Sequence, residues 1–151
     1  MKREKIQGII ILILIVLLAA ACIMLVRQEE PEPGETAVIE TNTEETLTDT
    51  SGGQIRIRIN PVVDIKGGIM NNLNFANYNE DRLLRCRILL GEEYIYDSGL
   101  IASGDMLKGD FINAESLASG VNEAVAEVYS YDTAENLLGQ TNVKITLNVT
   151  W

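Results

Sequence analysis

Hydrophobic and polar residues alternate along a series of short segments in the last two thirds of the chain. A period of two puts every second side chain on one face, which is typical of a half-buried β-strand. The pattern predicts strands over residues 55–59, 73–77, 84–90, 94–98, 122–131 and 143–149. A shorter strand is expected within residues 107–112, and residues 113–117 are compatible with a single helical turn.

Turn residues connect several of these segments into antiparallel pairs. Gly91, Glu92 and Glu93 separate the third segment from the fourth, so we expect these two segments to form a hairpin. A second turn is predicted at residues 132–136. Six or seven mostly antiparallel strands within residues 55–151 indicate an all-β domain, and we expect an immunoglobulin-like antiparallel β-sandwich. A small β-barrel is the structural alternative.

The N-terminus has a different pattern, because residues 6–26 (Ile6 to Val26) form one apolar run without any charge. A helix of this length measures about 31 Å, close to the hydrocarbon thickness of a bilayer. Three basic residues precede the run, whereas only Arg27 and then acidic residues follow it. The positive-inside rule therefore predicts a single-pass protein of the cell membrane, with residues 1–5 in the cytoplasm and the C-terminal domain outside.

Two other processing routes are open for this segment. Residues 18–22 (LAAAC) resemble a bacterial lipobox, in which Cys22 would be acylated after cleavage and would anchor the chain through lipid. A simple cleaved signal peptide would have a shorter apolar region and a small-residue cleavage site. We favour an uncleaved transmembrane helix, since the apolar run continues past the alanines to Val26.

Residues 27–54 change character again and are expected to form an acidic, Thr/Glu-rich disordered linker. Eight of residues 28–54 are acidic and none is basic, and residues 31–34 (PEPG) interrupt any helix. Low hydrophobicity combined with one-sided charge is typical of disorder. The short apolar stretch at residues 37–39 is not expected to form a strand. The predicted organisation is therefore a tail (1–5), a transmembrane helix (6–26), a linker (27–54) and an extracytoplasmic domain (55–151).

Composition limits the functions that this domain can have. The net charge is −10, and the excess of acidic residues lies after the apolar run, so we expect no binding to nucleic acid. The chain contains no histidine, the commonest general base and metal ligand. Asp105 and Asp110 lack the spacing of a calcium loop. We therefore expect no catalytic site, no metal and no cofactor.

Tyrosines and arginines supply the candidate binding residues. Tyr94 and Tyr96 are expected to share one strand face, as are Tyr129 and Tyr131. If these faces were coplanar and exposed, the four phenols would form a platform for a protein or a glycan; otherwise the rings cover sheet edges. Four arginines also alternate along two predicted strands, where they would form either an anion-binding face or cross-strand pairs with Glu123 and Glu127. These arginines are Arg56, Arg58, Arg85 and Arg87.

Three short segments carry a resemblance to known proteins. These segments are residues 53–61 (GQIRIRINP), residues 96–101 (YDSGLI), and residues 128–132 (VYSYD) together with 138–140 (LGQ). With the N-terminal arrangement, the chain resembles uncharacterised small membrane-anchored proteins of Gram-positive bacteria. The resemblance implies one extracytoplasmic immunoglobulin-like domain, and it implies no catalytic motif.

These observations predict a non-enzymatic interaction module of the bacterial cell envelope, tethered to the membrane and binding another surface or envelope protein. The alternative is a module that binds cell-wall carbohydrate through the tyrosines, with Cys22 as a candidate lipid anchor. The two hypotheses differ in the partner that they place on Tyr94, Tyr96, Tyr129 and Tyr131.

Overall fold

The structure, a computed structural model, describes residues 36–113 and 117–151, and every regular element within these residues is a β-strand. The strands are β1 (Thr36–Val38), β2 (Glu44–Thr48), β3 (Gln54–Arg58), β4 (Val62–Lys66), β5 (Ile69–Met70), β6 (Phe75–Asn77), β7 (Leu83–Leu90), β8 (Glu93–Ile101), β9 (Met106–Leu107), β10 (Asp110–Phe111), β11 (Gly120–Tyr131) and β12 (Leu137–Thr150). The prediction of an all-β domain is confirmed.

The strands form two sheets in a sandwich-like arrangement. The larger sheet has the order β10-β5-β4-β12-β11-β7-β8, with β1 as an additional partner of β12. The smaller sheet has the order β2-β3-β6-β9. Neighbouring strands are antiparallel except where β12 pairs in parallel with β1 and with β4, so the expected antiparallel sandwich needs this correction.

Alternate residues of each strand build the core. Ile55 and Ile57 on β3, Ala126 and Val128 on β11, and Leu147 on β12 are fully or almost fully shielded from solvent. Burial of one such large aliphatic side chain stabilises the fold by roughly 1.5–3 kcal/mol. The apolar positions of the alternating sequence are therefore the positions whose side chains face the core.

Most of the predicted strands are present, with small shifts in their ends except at β12, which begins at Leu137 rather than at 143. The segments at 55–59, 84–90, 94–98, 122–131 and 143–149 correspond to β3, β7, β8, β11 and β12. The expected hairpin joins β7 to β8, and Gly91 in its turn has a φ of 62° that favours glycine. The segment at 73–77 contracts to β6, and the strand expected within 107–112 is replaced by β9 and β10, which belong to different sheets.

The prediction of a disordered linker over residues 27–54 is wrong for residues 36–54. Here β1 pairs with β12, and β2 pairs with β3 along its whole length. Ile39, which was not expected in a strand or in the core, is buried among the core residues. The folded domain therefore includes residues 36–54, and the described residues belong to a compact unit that runs from Pro33 to Trp151.

One edge of β12 is shared by two strands that arrive from different places. β1 covers residues 142–144 of β12, and β4 covers residues 146–150. After β1 the chain crosses to the smaller sheet to form β2, and between β3 and β4 it returns through Pro61. Both connections lie beside residues 144–146 of β12, where β1 ends and β4 begins. We call this place the split edge of β12.

The predicted transmembrane helix at residues 6–26, with Cys22, lies outside the described residues, as do residues 114–116 of the possible helical turn. Within the part of the chain that the structure describes, no helix has the length and hydropathy needed to cross a bilayer.

Candidate functional site

Two of the four predicted tyrosines converge on one carboxylate at the outer face of the larger sheet. Tyr94 on β8 and Tyr129 on β11 both donate hydrogen bonds to Oε2 of Glu127, at 2.8 and 2.7 Å. Glu127 is only 8% exposed although it lies on the outer face, because the two rings cover it. The carboxylate thereby fixes the orientation of both phenols.

Two arginines complete this cluster. The Arg87 guanidinium carbon lies 3.4 Å from the centroid of the Tyr94 ring, which is the geometry of a cation–π contact. Arg85 donates to Asp97 through both Nε, at 2.8 Å from Oδ1, and a terminal nitrogen. Arg87 Nε is 3.9 Å from Asp97 Oδ2. We call this group, which consists of Arg85, Arg87, Tyr94, Asp97, Glu127 and Tyr129, the tyrosine–arginine patch.

Burial and hydrogen bonding set the protonation of the patch. Burial raises the pKa of Tyr94 and of Tyr129, and the hydrogen bonds to Glu127 raise it further. The hydrogen bond from Arg85 lowers the pKa of Asp97 below its usual value, despite partial burial. Tyr94 and Tyr129 are therefore held as neutral hydroxyl donors, and by residue type the patch contains two basic and two acidic side chains. It is balanced in charge within an acidic chain.

The prediction that Tyr94 and Tyr96 share one face is wrong. The pairing of β7 with β8 shifts register between Ile88 and Leu89, and such a bulge reverses the alternation that follows it. Tyr94 is 39% exposed, whereas Tyr96 is 5% exposed and packs in the core, with its hydroxyl 3.3 Å from Asp110 Oδ2. Four coplanar phenols are therefore not available.

Tyr131 lies on β11 at the end of the patch. It is half-buried, and its hydroxyl makes a minor contribution to the raised pKa of Arg85, which Asp97 dominates. Of the four predicted tyrosines, the structure thus brings Tyr94 and Tyr129 together and places Tyr131 beside them. Tyr96 lies in the core instead.

The four arginines do not form one face either. Arg56 and Arg58 belong to β3 in the smaller sheet, whereas Arg85 and Arg87 belong to β7 in the larger one. Their partners also differ from the expected glutamates, because Arg56 pairs with Glu44 and Arg85 pairs with Asp97. Each pair joins neighbouring strands, so cross-strand pairing accounts for Arg56 and Arg85.

A groove lies on the same outer face, beside the patch. It has a volume of ≈ 560 Å³ and crosses β12 and β11 from the split edge to the β7–β8 turn. We call it the outer groove; its lining residues are Val38, Ile39, Glu40, Pro61, Val62, Leu89, Gly91, Glu123, Ala124, Val125, Lys144, Ile145 and Thr146. The sequence did not predict it, because one wall comes from the segment that was expected to be disordered.

A second buried carboxylate, Asp49, was also missed. Its Oδ1 accepts hydrogen bonds from the backbone N–H groups of Ser51 and Gly53 and from the Ser51 hydroxyl, and its Oδ2 accepts one from Ser130. A side chain at Gly139 would overlap with the Asp49 carboxyl group. The signal was present in residues 49–53 (DTSGG), which is a typical Asx-turn sequence. Through Ser130, Asp49 holds the loop before β3 against β11.

The calcium candidates do not come together in the described residues. Asp110 accepts the hydrogen bond from Tyr96, and Asp105 is exposed in the loop before β9. No group of three or more acidic or cysteine side chains in residues 36–113 and 117–151 is arranged to hold a metal ion. These aspartates therefore offer no support for a cation site.

Comparison with known proteins adds no family to this geometry, since no protein-family model, no curated protein and no solved structure matches the chain. The function has to be argued from the residues themselves.

Proposed function

We propose that this chain is a non-enzymatic interaction module of the bacterial cell envelope. In this proposal residues 6–26 anchor it in the membrane, and an immunoglobulin-like domain outside the cell binds another envelope protein. The observation that carries the proposal is the shared hydrogen bonding of Tyr94 and Tyr129 to Glu127, with Arg87 stacked on Tyr94.

The composition and the rigidity of the patch both favour a protein partner. Tyrosine and arginine are enriched among the residues that dominate binding energy at protein interfaces. Side chains that are free in solution lose roughly 0.5–1.5 kcal/mol each when an interface immobilises them. Because Tyr94, Tyr129 and Arg87 are already held, less of this entropy remains to be lost on binding.

The remaining parts of the proposal have independent support. Two mostly antiparallel sheets around one aliphatic core are compatible with an immunoglobulin-like sandwich. The apolar run and the basic residues before it favour a membrane anchor with the domain outside. The absence of histidine from the sequence favours a role in binding over acid–base catalysis.

The test uses a soluble fragment of residues 33–151 as bait against solubilised membrane protein. Proteins retained by the wild-type fragment are identified and purified. The Kd of each for the fragment is then measured with wild type, with Tyr94→Ala/Tyr129→Ala and with Tyr78→Ala. Tyr78 is a matched control, since it is a half-buried tyrosine that follows β6 of the smaller sheet and stacks with Arg58. We expect the double variant to weaken binding at least tenfold and the control to leave it unchanged.

Binding of cell-wall carbohydrate is the second candidate, and the partly exposed ring of Tyr94 favours it. A lipid anchor at Cys22 would be compatible with either candidate. Retention of the fragment on purified wall, lost in Tyr94→Ala/Tyr129→Ala and without any protein partner in the membrane extract, would replace the first proposal by this one.

A further inference from the structure

The outer groove owes its shape to the split edge of β12. Val38 of β1 is opposite Lys144, and Val62 of β4 is opposite Thr146, so the two strands diverge within two residues of β12. Val38 and Val62 are both exposed, at 69% and 44%. The apolar wall that they form has no cover within the described residues.

A row of residues in register runs across the floor of the groove. Leu89 pairs with Val125, Val125 pairs with Lys144, and Lys144 pairs with Val38. The row spans three strand spacings of about 4.8 Å each, or ~14 Å. This is the length of about four residues of an extended peptide. The volume of ≈ 560 Å³ also lies within the range of ordinary ligand sites.

Acidic side chains without partners border this row, which is aliphatic except for Lys144. Glu40 follows the wall formed by β1, Glu123 lies on β11, and both are exposed. Within the described part of the chain, neither glutamate makes an ion pair or a side-chain hydrogen bond. Arg85 and Arg56, in contrast, are paired with carboxylates elsewhere. The glutamates are therefore free to bind a cationic group, and Lys144 is the single base in the lining.

We propose that the outer groove binds an extended peptide segment with apolar side chains next to a lysine or arginine. The apolar side chains would contact Val38, Val62 and Val125, and the basic residue would pair with Glu40 or Glu123. This inference rests on the proposed function, because the segment would belong to the protein partner. It adds the chemistry of the segment and a site separate from the tyrosine–arginine patch.

The lining favours a peptide over a glycan. Sugars are commonly held by stacking on aromatic rings, and no aromatic residue is among the residues that line the groove. Aliphatic floor residues instead match aliphatic side chains. The excess of acid over base in the chain, 22 residues against 12, also attracts a basic segment before contact.

In the test, peptides that bind the 33–151 fragment are selected from a phage-displayed library of random heptapeptides. We expect the enriched sequences to combine aliphatic residues with lysine or arginine, and synthetic copies of them to bind wild type. In Glu40→Lys/Glu123→Lys the affinity of these copies should fall at least tenfold. Glu80→Lys, an exposed charge reversal between β6 and β7, is the matched control and should bind like wild type. Leu89→Ser should also weaken binding, whereas Leu138→Ser, on another part of β12, should not.

Several results would overturn the inference. They are the absence of any enriched peptide, enrichment of acidic sequences, and equal binding by wild type and Glu40→Lys/Glu123→Lys. The measurements distinguish a wrong assignment of the groove as a peptide site from a wrong proposed function. If the purified partner depends on Tyr94 and Tyr129 but not on Glu40 and Glu123, the function stands and the groove is not its peptide site.

Discussion

At the scale of single residues, Asp49 shows how one carboxylate joins distant parts of the chain. Its side chain is fully shielded from solvent, and Arg82 lies 3.5 Å away as its ion-pair partner. Burial alone would raise the pKa of Asp49, but the hydrogen bonds from Ser51, Gly53 and Ser130 lower it more, so that the net shift is downward. The charged form is therefore the one that the fold stabilises.

We expect Asp49→Ala to destabilise the 33–151 fragment by roughly 2–4 kcal/mol, because it leaves buried donors on the loop and on Ser130 without an acceptor. The measurement is the free energy of unfolding in urea. Asp81→Ala is the control, since Asp81 is exposed and makes no hydrogen bond within the described residues. Equal unfolding midpoints for the two variants would show that the loop does not depend on this carboxylate.

The same residue predicts a loss of stability in acid. Its folded pKa is lowered below the usual value of about 3.9, so in the unfolded chain Asp49 takes up a proton at a higher pH than in the fold. Its contribution is complete well above that value and is lost as the pH falls through the folded pKa. We expect the urea midpoint to decrease between pH 5 and pH 3, and to decrease less in Asp49→Asn. An identical pH profile for the variant would contradict this assignment.

At the scale of elements, the N-terminal strands β1 and β2 belong to the domain although β1 has only three residues and β2 (EETLT) is mostly polar. β1 supplies three residues of pairing to β12, and β2 supplies five to β3. Ile39 between them reaches the core, and Leu47 packs against it. Pairing with a neighbouring strand thus compensates for the weak intrinsic β-propensity of these residues.

This assignment predicts the effect of truncation. A fragment of residues 53–151 lacks β1, β2 and Asp49, so it exposes the edges of β3 and β12 and leaves Ser130 and Arg82 without their acceptor. We expect it to unfold at a lower temperature than the 33–151 fragment and to aggregate through the open edges. Thermal unfolding followed by circular dichroism measures the difference. A disordered linker, as the sequence suggested, would instead give the same midpoint for both fragments.

The strands that could be predicted are those whose alternation is long and is interrupted by clear turns, such as β11 and β12. β4 was not predicted, although Val63 and Ile65 alternate with Asp64, because this alternation is short and directly follows Pro61. Proline ended β3, but the next strand began directly after it. The burial of Tyr96 was missed because β8 carries one extra residue opposite Ile88 and Leu89 of β7, and the alternation in the sequence does not signal this bulge. The Tyr94–Glu127–Tyr129 contact joins strands far apart in sequence, so only the register of β7 with β8 and β11 creates it.

At the scale of the whole molecule, the outer face of the larger sheet combines two features that the smaller sheet lacks in the described residues. The tyrosine–arginine patch is neutral overall and held rigidly, whereas the outer groove is apolar with unpaired glutamates at its border. Leu89 connects them, because it pairs with Tyr94 on one side and with Val125 on the other. Under the proposed function, a single partner would contact both, with the patch as the fixed anchor and the groove selecting its peptide sequence.

The predicted membrane topology can be tested by labelling cysteines, because the buried Cys86 serves as an internal control. Cys86 is buried, and burial raises the pKa of its thiol, so a maleimide should modify it only after unfolding. In a Cys22→Ser background, Ser103→Cys adds an exposed thiol in the loop after β8. We expect a membrane-impermeant maleimide to label Ser103→Cys in intact bacterial cells and to leave the background unlabelled. Glu4→Cys, in the predicted cytoplasmic tail, should react only after permeabilisation; the reverse pattern for the two variants would invert the orientation.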